Sequence, residues 1–221
     1  MSLETLKTKV GLLIEKAQSG GGNAPENAVY TISEYAENGY PKKIKYRIPQ
    51  GLEQNQIPDY AFGNKTDLNS SFAESFEEVE VVGNPNIIGA NAFYRCTALK
   101  RISCYDYITN AKYACFNRTV LEYSYLPPNL IEIGDYSFAL VPFSGGELEF
   151  PQSVLTIGEQ AFYQCEKLKK ITFKGTPQTI SSKAFYMCRN ITDVFVPWSE
   201  GTVSGAPWGV SSSAIHYNSE V

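Results

Sequence analysis

The sequence predicts an α/β solenoid, a right-handed array of about six short coils with a parallel sheet of short strands along one side. Three observations predict it. Ile88–Cys104 ("IGANAFYRCTALKRISC") and Ile157–Phe173 ("IGEQAFYQCEKLKKITF") keep their apolar letters and change their polar ones, so the chain contains a repeat. The tail of each stretch, I-x-F or I-x-C, alternates apolar and polar residues, as a strand with one buried face does. The middle, A-F-x-x-C-x-x-L, has a period of three to four, as one or two turns of α or 3₁₀ helix do. A unit this small cannot bury its own apolar face and must stack on a neighbour.

Further copies follow the same spacing. Ile180, Ala184, Phe185, Cys188, Ile191, Val194 and Val196 form one, beginning twenty-three residues after Ile157. Ile133, Ser137, Phe138, Leu148 and Phe150 form another, with Val141 at the cysteine position and a small insertion, "SGG", after it. Ile108, Tyr113, Phe116, Val120, Tyr123 and Tyr125 make a degenerate copy; Ile57, Ala61, Phe62, Phe76, Val79 and Val81 make the first clear one, with a longer insertion. Phe62, Phe93, Phe138, Phe162 and Phe185 are then expected to stack along the core, each burial worth roughly 1.5 to 3 kcal/mol. The small residue before each Phe suits a tight turn, and the recurring cysteine suits packing, since a free thiol behaves as a small hydrophobe.

The pattern I-x-x-x-A-F-x-x-C-x-x-L-x-x-I-x-(F/C/V), clear from Ile88, Ile157 and Ile180, resembles the BspA-type leucine-rich repeats. Those repeats occur in surface proteins of oral and gut bacteria and of some parasites. The resemblance covers roughly residues 50 to 200 and implies a leucine-rich-repeat-like array with a recognition or adhesion function. Its expected partner is a host or bacterial surface protein or glycan, at a cell surface or after secretion. The closing segment is also similar to those of BspA-type proteins encoded by phages, which implies instead a structural oligomeric part of a tail or baseplate that touches the bacterial host.

Composition narrows the alternatives. The 221 residues are 43% hydrophobic and 19% charged, with a net charge of −4, so no basic field exists to gather nucleic acid. Five cysteines, an odd number without a Cys-x-x-Cys pair, argue against a disulfide framework and a zinc site. His216 is the single histidine, and "SGGGN" lacks the Lys-Ser/Thr of a phosphate loop, so neither catalysis nor a cofactor is expected. No apolar run approaches a membrane span, and no secretory signal pattern is visible at the start of the sequence.

The ends differ from the middle. Residues 1–22 form an expected amphipathic helix with Leu3, Leu6, Val10, Leu13 and Ala17 on heptad positions, closed by Gly20 to Gly22. Docking on the solenoid, a homo-oligomeric seam through residues 3–17, or an anchor to a larger particle would each use that face. Residues 23–50 read as N-terminal strands, around Val29 to Ser33 and Lys43 to Ile48, with a turn at Asn38-Gly39. Residues 51–197 hold the repeats. Residues 198–221 read as a C-terminal cap, with Trp198 and Trp208 either laid across the last coil or offering faces for sugars to stack on.

If the I-x-F strands share one sheet, their outward residues form two columns. One is Glu80, Ser103, Ser124, Glu149, Thr172 and Phe195; the other is Glu78, Arg101, Glu122, Glu147, Lys170 and Asp193. A mixed-charge face of this kind suits a protein or glycan partner, or is simply a solvated strand surface.

Overall fold

The computed structural model describes residues 30–37, 41–63 and 73–220. The helix expected over residues 1–22, its seam at 3–17 and the Asn38-Gly39 turn lie outside the described residues.

Fourteen strands follow one another along the described chain: β1 (Tyr30–Tyr35), β2 (Pro41–Arg47), β3 (Gln56–Ile57), β4 (Glu78–Val82), β5 (Ile87–Ile88), β6 (Arg101–Ile102) and β7 (Asn110–Ala111). Then come β8 (Glu132–Ile133), β9 (Glu147–Phe150), β10 (Thr156–Ile157), β11 (Lys170–Phe173), β12 (Thr179–Ile180), β13 (Asp193–Phe195) and β14 (Ile215–His216). They form three sheets. A six-stranded parallel sheet, β12-β10-β8-β7-β5-β3, takes one strand from each of six turns and runs unbroken along the solenoid. The I-x-F strands build the other side, which is divided into two four-stranded blocks, β1-β2-β4-β6 and β9-β11-β13-β14.

The α/β expectation needs correction. Among the described residues there is no α-helix, and only two three-residue 3₁₀ turns, Tyr105–Tyr107 and Ser212–Ala214. The A-F-x-x-C segment shows why. In the coil that starts at Ile88, the N–H groups of Ala92, Tyr94 and Cys96 close local turns on Gly89, Asn91 and Phe93. Those of Asn91, Phe93 and Arg95 donate instead to Tyr113, Cys115 and Asn117 of the next coil. An α-helix would send every N–H back four residues and leave none for the neighbour. Asn91 and Arg95 also sit at φ 55° and 60°, a left-handed geometry that interrupts any helix; Gln160 and Gln164 repeat it at 51° and 52°.

Inside, six phenylalanines stack without a gap. Successive ring centroids are 4.9 Å apart for Phe62–Phe93, 5.5 Å for Phe93–Phe116 and 5.3 Å for Phe116–Phe138. Phe138–Phe162 and Phe162–Phe185 follow at 5.6 and 5.3 Å. Phe116 supplies the rung of the degenerate copy, whose register also needs correction. Ala111, not Ile108, pairs with Ile88 and Ile133 in the six-stranded sheet. Cys115 therefore occupies the alanine position and Thr119 the cysteine position, four and eight residues on. The glycine after the leading isoleucine lets coils approach: a Cβ on Gly158 would lie 2.6 Å from the Asp135 nitrogen.

Both ends are joined to the array. β1 and β2 form an antiparallel hairpin, and β2 then pairs in parallel with β4, packing Tyr30 and Tyr46 against Phe62. At the other end the chain continues the ladders: the Phe185 N–H donates to the Trp208 carbonyl, and β14 pairs with β13.

Candidate binding face

In the strands of the two blocks, alternate residues point out because their neighbours point into the spine; β9 reads exposed, buried, exposed, buried along Glu147–Phe150. Register then sets the columns. Glu147, Lys170 and Asp193 are adjacent across β9, β11 and β13, as are Glu149, Thr172 and Phe195. In the first block Glu78 lies between Lys43 and Arg101, and Glu80 lies beside Lys45.

The columns do not run through the middle of the molecule. Glu122 turns back toward the first block, 3.2 Å from Arg101 and 3.8 Å from Lys100. The Ser103 hydroxyl accepts the Val81 N–H at 2.9 Å, so it serves the backbone rather than a partner. Of the twelve expected face residues, the structure gathers Ser124, Glu147, Glu149, Lys170, Thr172 and Phe195 around one open groove of about 570 Å³. Leu148, Lys174 and Glu220 complete its lining.

Charge in the groove is partly paired. Lys170 lies 3.5 Å from Glu147 and Lys174 lies 3.4 Å from Glu149, distances typical of solvated pairs that contribute little to stability. Phe195 is flanked by the Lys170 ammonium, 5.7 Å from its ring centre, and by His216, whose ring stacks on it at 4.6 Å. His216 Nε2 in turn stands 2.9 Å from Asp193 Oδ1. Hydrogen bonds from Thr192 and then His216 hold the Asp193 carboxyl below the usual carboxylate range.

Other contributors to the face were not among the expected residues, Lys174 beside Glu149 among them. Lys43 and Lys45 extend the columns into the N-terminal hairpin, and the alternation "KKIKYR" was the available signal. His216 extends the Phe195 row by one strand. Glu220 closes the far wall of the groove, and no pattern in the sequence points to it.

A profile of the BspA type leucine rich repeat region matches residues 55–144 and 143–204, in six copies. The chain belongs to the BspA-type leucine-rich repeat family. Among solved structures, this BspA-type fold is similar to a leucine-rich repeat protein of T. pallidum at 19% identity and TM-score 0.52, over 88% of this chain and 92% of that one. It is also similar to the pneumococcal vaccine antigen PcpA, at 18% identity and TM-score 0.52, over 80% of this chain and 42% of that one. A comparison with curated proteins finds no match.

The remaining signature residues of the BspA-type pattern are structural. Cys96, Cys104, Cys115, Cys165 and Cys188 are all buried free thiols. Burial pushes the Cys104 thiol up to about 12, and those of Cys96, Cys115 and Cys165 well above the ordinary range. At the recurrent position, the Cys165 and Cys188 thiols donate to the carbonyls of Phe138 and Phe162, and the Thr119 hydroxyl donates to that of Phe116. The position takes a small side chain, whose donor is used where it is Cys165, Cys188 or Thr119, while Val141 fills it by packing alone. Trp198 and Trp208 correct the sugar-stacking expectation: both are buried and pack edge to face at 6.2 Å, leaving no ring face open. Among the described residues, no group of three or more His, Cys, Asp or Glu is placed to hold a metal ion, and no helix is long and apolar enough to cross a membrane.

Proposed function

We propose that this array is a non-enzymatic recognition and adhesion module, working at a cell surface and engaging a protein or glycan partner through the outward side of β9, β11, β13 and β14. The observation that carries the reading is the groove. There the strand pattern presents acids, lysines, hydroxyls and a half-buried aromatic around one concave surface, the mix of polar rim and aromatic anchor that recognition surfaces use. The spine beneath is already satisfied, so the outward residues are free to differ from coil to coil without cost to the fold. Arrays of glycans and of extracellular-matrix proteins test it directly. A ligand should be retained by the intact chain and lost, at least in large part, by Glu147→Lys and by Phe195→Ala. A ligand that binds both variants as tightly as the parent would place recognition elsewhere on the molecule.

A further inference from the structure

Among the described residues, β9 pairs with β11 on one side and with no strand on the other. The Lys170 and Lys174 N–H groups donate to the Gly146 and Phe150 carbonyls. In a parallel ladder each residue sends both its main-chain groups to one neighbour, and successive residues alternate sides. Leu148 and Phe150 therefore face β11, while the N–H and C=O groups of Glu147 and Glu149 face the preceding coil. Residues 120–126 of that coil make no main-chain hydrogen bond to β9. They are drawn the other way. Val120 and Glu122 donate to Leu99 and Lys100, and Tyr123 stacks on Tyr105 with ring centres 3.6 Å apart.

The opposite lip of the same gap is closed. The Tyr123 hydroxyl accepts the Ile102 N–H at 3.0 Å and donates to the Ile102 carbonyl at 2.9 Å, standing in for a strand. Ser103 Oγ does the same for the Val81 N–H. An open row of donors and acceptors beside a plugged one is an asymmetry that packing alone does not require. The open row also borders the groove, whose near wall is Ser124.

We propose that the open edge of β9 is a strand-addition site that takes an extended peptide segment of a protein partner. The inference rests on the recognition reading above and narrows it to protein. Main-chain groups repeating at every second residue match the main chain of an extended peptide, and strand addition draws its affinity from those bonds. The carboxylates of Glu147 and Glu149, both exposed at this edge, favour basic side chains at alternate positions of the incoming strand. The same charges would keep uncharged strands from adding unselectively.

Amide hydrogen exchange on the full chain tests the proposal. In the free protein the Glu147 and Glu149 amides should exchange much faster than those of Leu148 and Phe150. A blocked hexapeptide alternating lysine and valine is the probe, and adding it should slow exchange at Glu147 and Glu149. Two isomers of that peptide, N-methylated on one or the other alternate set of residues, then separate backbone pairing from charge. One isomer should bind about tenfold more weakly or worse, having lost its bonding edge, while the other binds like the parent. Equal binding by both isomers, or no slowing at Glu147 and Glu149 with any of the peptides, overturns strand addition. An array ligand that is lost in Glu147→Lys yet leaves those two amides unchanged would overturn strand addition while keeping the recognition reading.

Discussion

The block of β1, β2, β4 and β6 and the block of β9, β11, β13 and β14 stand on the same spine and carry the same kind of outward residues, but they treat them differently. In the first, Lys43 meets Glu78 at 3.0 Å, Lys45 meets Glu80 at 2.9 Å and Arg101 meets Glu122 at 3.2 Å, so charge is matched from strand to strand. Its last edge is plugged by Tyr123. In the second the pairs are looser, an aromatic ring stands among them, and the first edge is open. An outward charge column is therefore not by itself a binding surface. What distinguishes the second block is an unfinished ladder, set by which way residues 120–126 lean.

If the blocks share a spine, damage to it should be indifferent to block. Phe93→Ala and Phe162→Ala should each cost about 3 to 5 kcal/mol in chemical denaturation, because each leaves a cavity between two stacked rings. A large loss for one and almost none for the other would mean that the blocks are separate cores. Next in size is the plug. Tyr123→Phe keeps the ring stacked on Tyr105 but strands the Ile102 N–H and carbonyl, a loss of about 1 to 3 kcal/mol. Faster amide exchange at Ile102 should accompany it. Unchanged stability and exchange would show that the first block is as open as the second, and the comparison would fail.

These two predictions also mark what was legible beforehand. The spine was readable because a phenylalanine recurs at one spacing, and hydrophobic burial at fixed spacing is the strongest signal a sequence carries. Phe116 belongs to the degenerate copy, but a start at Ile108 sets its coil three residues early, since Ala111, Cys115 and Thr119 replace the larger or expected letters. Helix and stacked turns could not be told apart by period: both return an apolar residue every three to four positions, and only the hydrogen bonds to the next coil separate them. The outward columns follow from alternation, and within the blocks the strand register aligns Glu78 with Arg101 and Glu147 with Lys170 and Asp193. Their interruption was not visible, because Tyr123-Ser124-Tyr125 alternates like a strand, while the bonds that divert it come from Ile102 and Tyr105, far along the chain.

Smaller effects separate stability from recognition. Reversing Glu78 to Lys in the first block or Glu147 to Lys in the second should change stability by no more than about 1 kcal/mol, since both pairs are solvated. Their consequences for binding should diverge: Glu147→Lys should abolish capture of any ligand found for the groove, and Glu78→Lys should leave it intact. Denaturation and binding measured on the same two proteins decide the matter. Equal loss of binding would extend the recognition surface across both blocks.

The smallest effect concerns acid. Thr192 first and His216 second stabilise the ionised Asp193 by hydrogen bonding. A carboxyl whose folded pKa lies below the unfolded value of about 3.9 contributes stability above that pH and loses it as the pH falls through the folded value. The contribution is therefore present across the neutral range and disappears only in strong acid. NMR titration of the Asp193 carboxyl should give a midpoint below the ordinary one. Thr192→Ala and His216→Ala should each raise that midpoint, since each removes a hydrogen bond to the ionised carboxyl. If His216→Ala moved it further, the His216–Asp193 contact beside Phe195 would be the tighter element of the rim, and the second block would be less open at its far end than its near edge suggests.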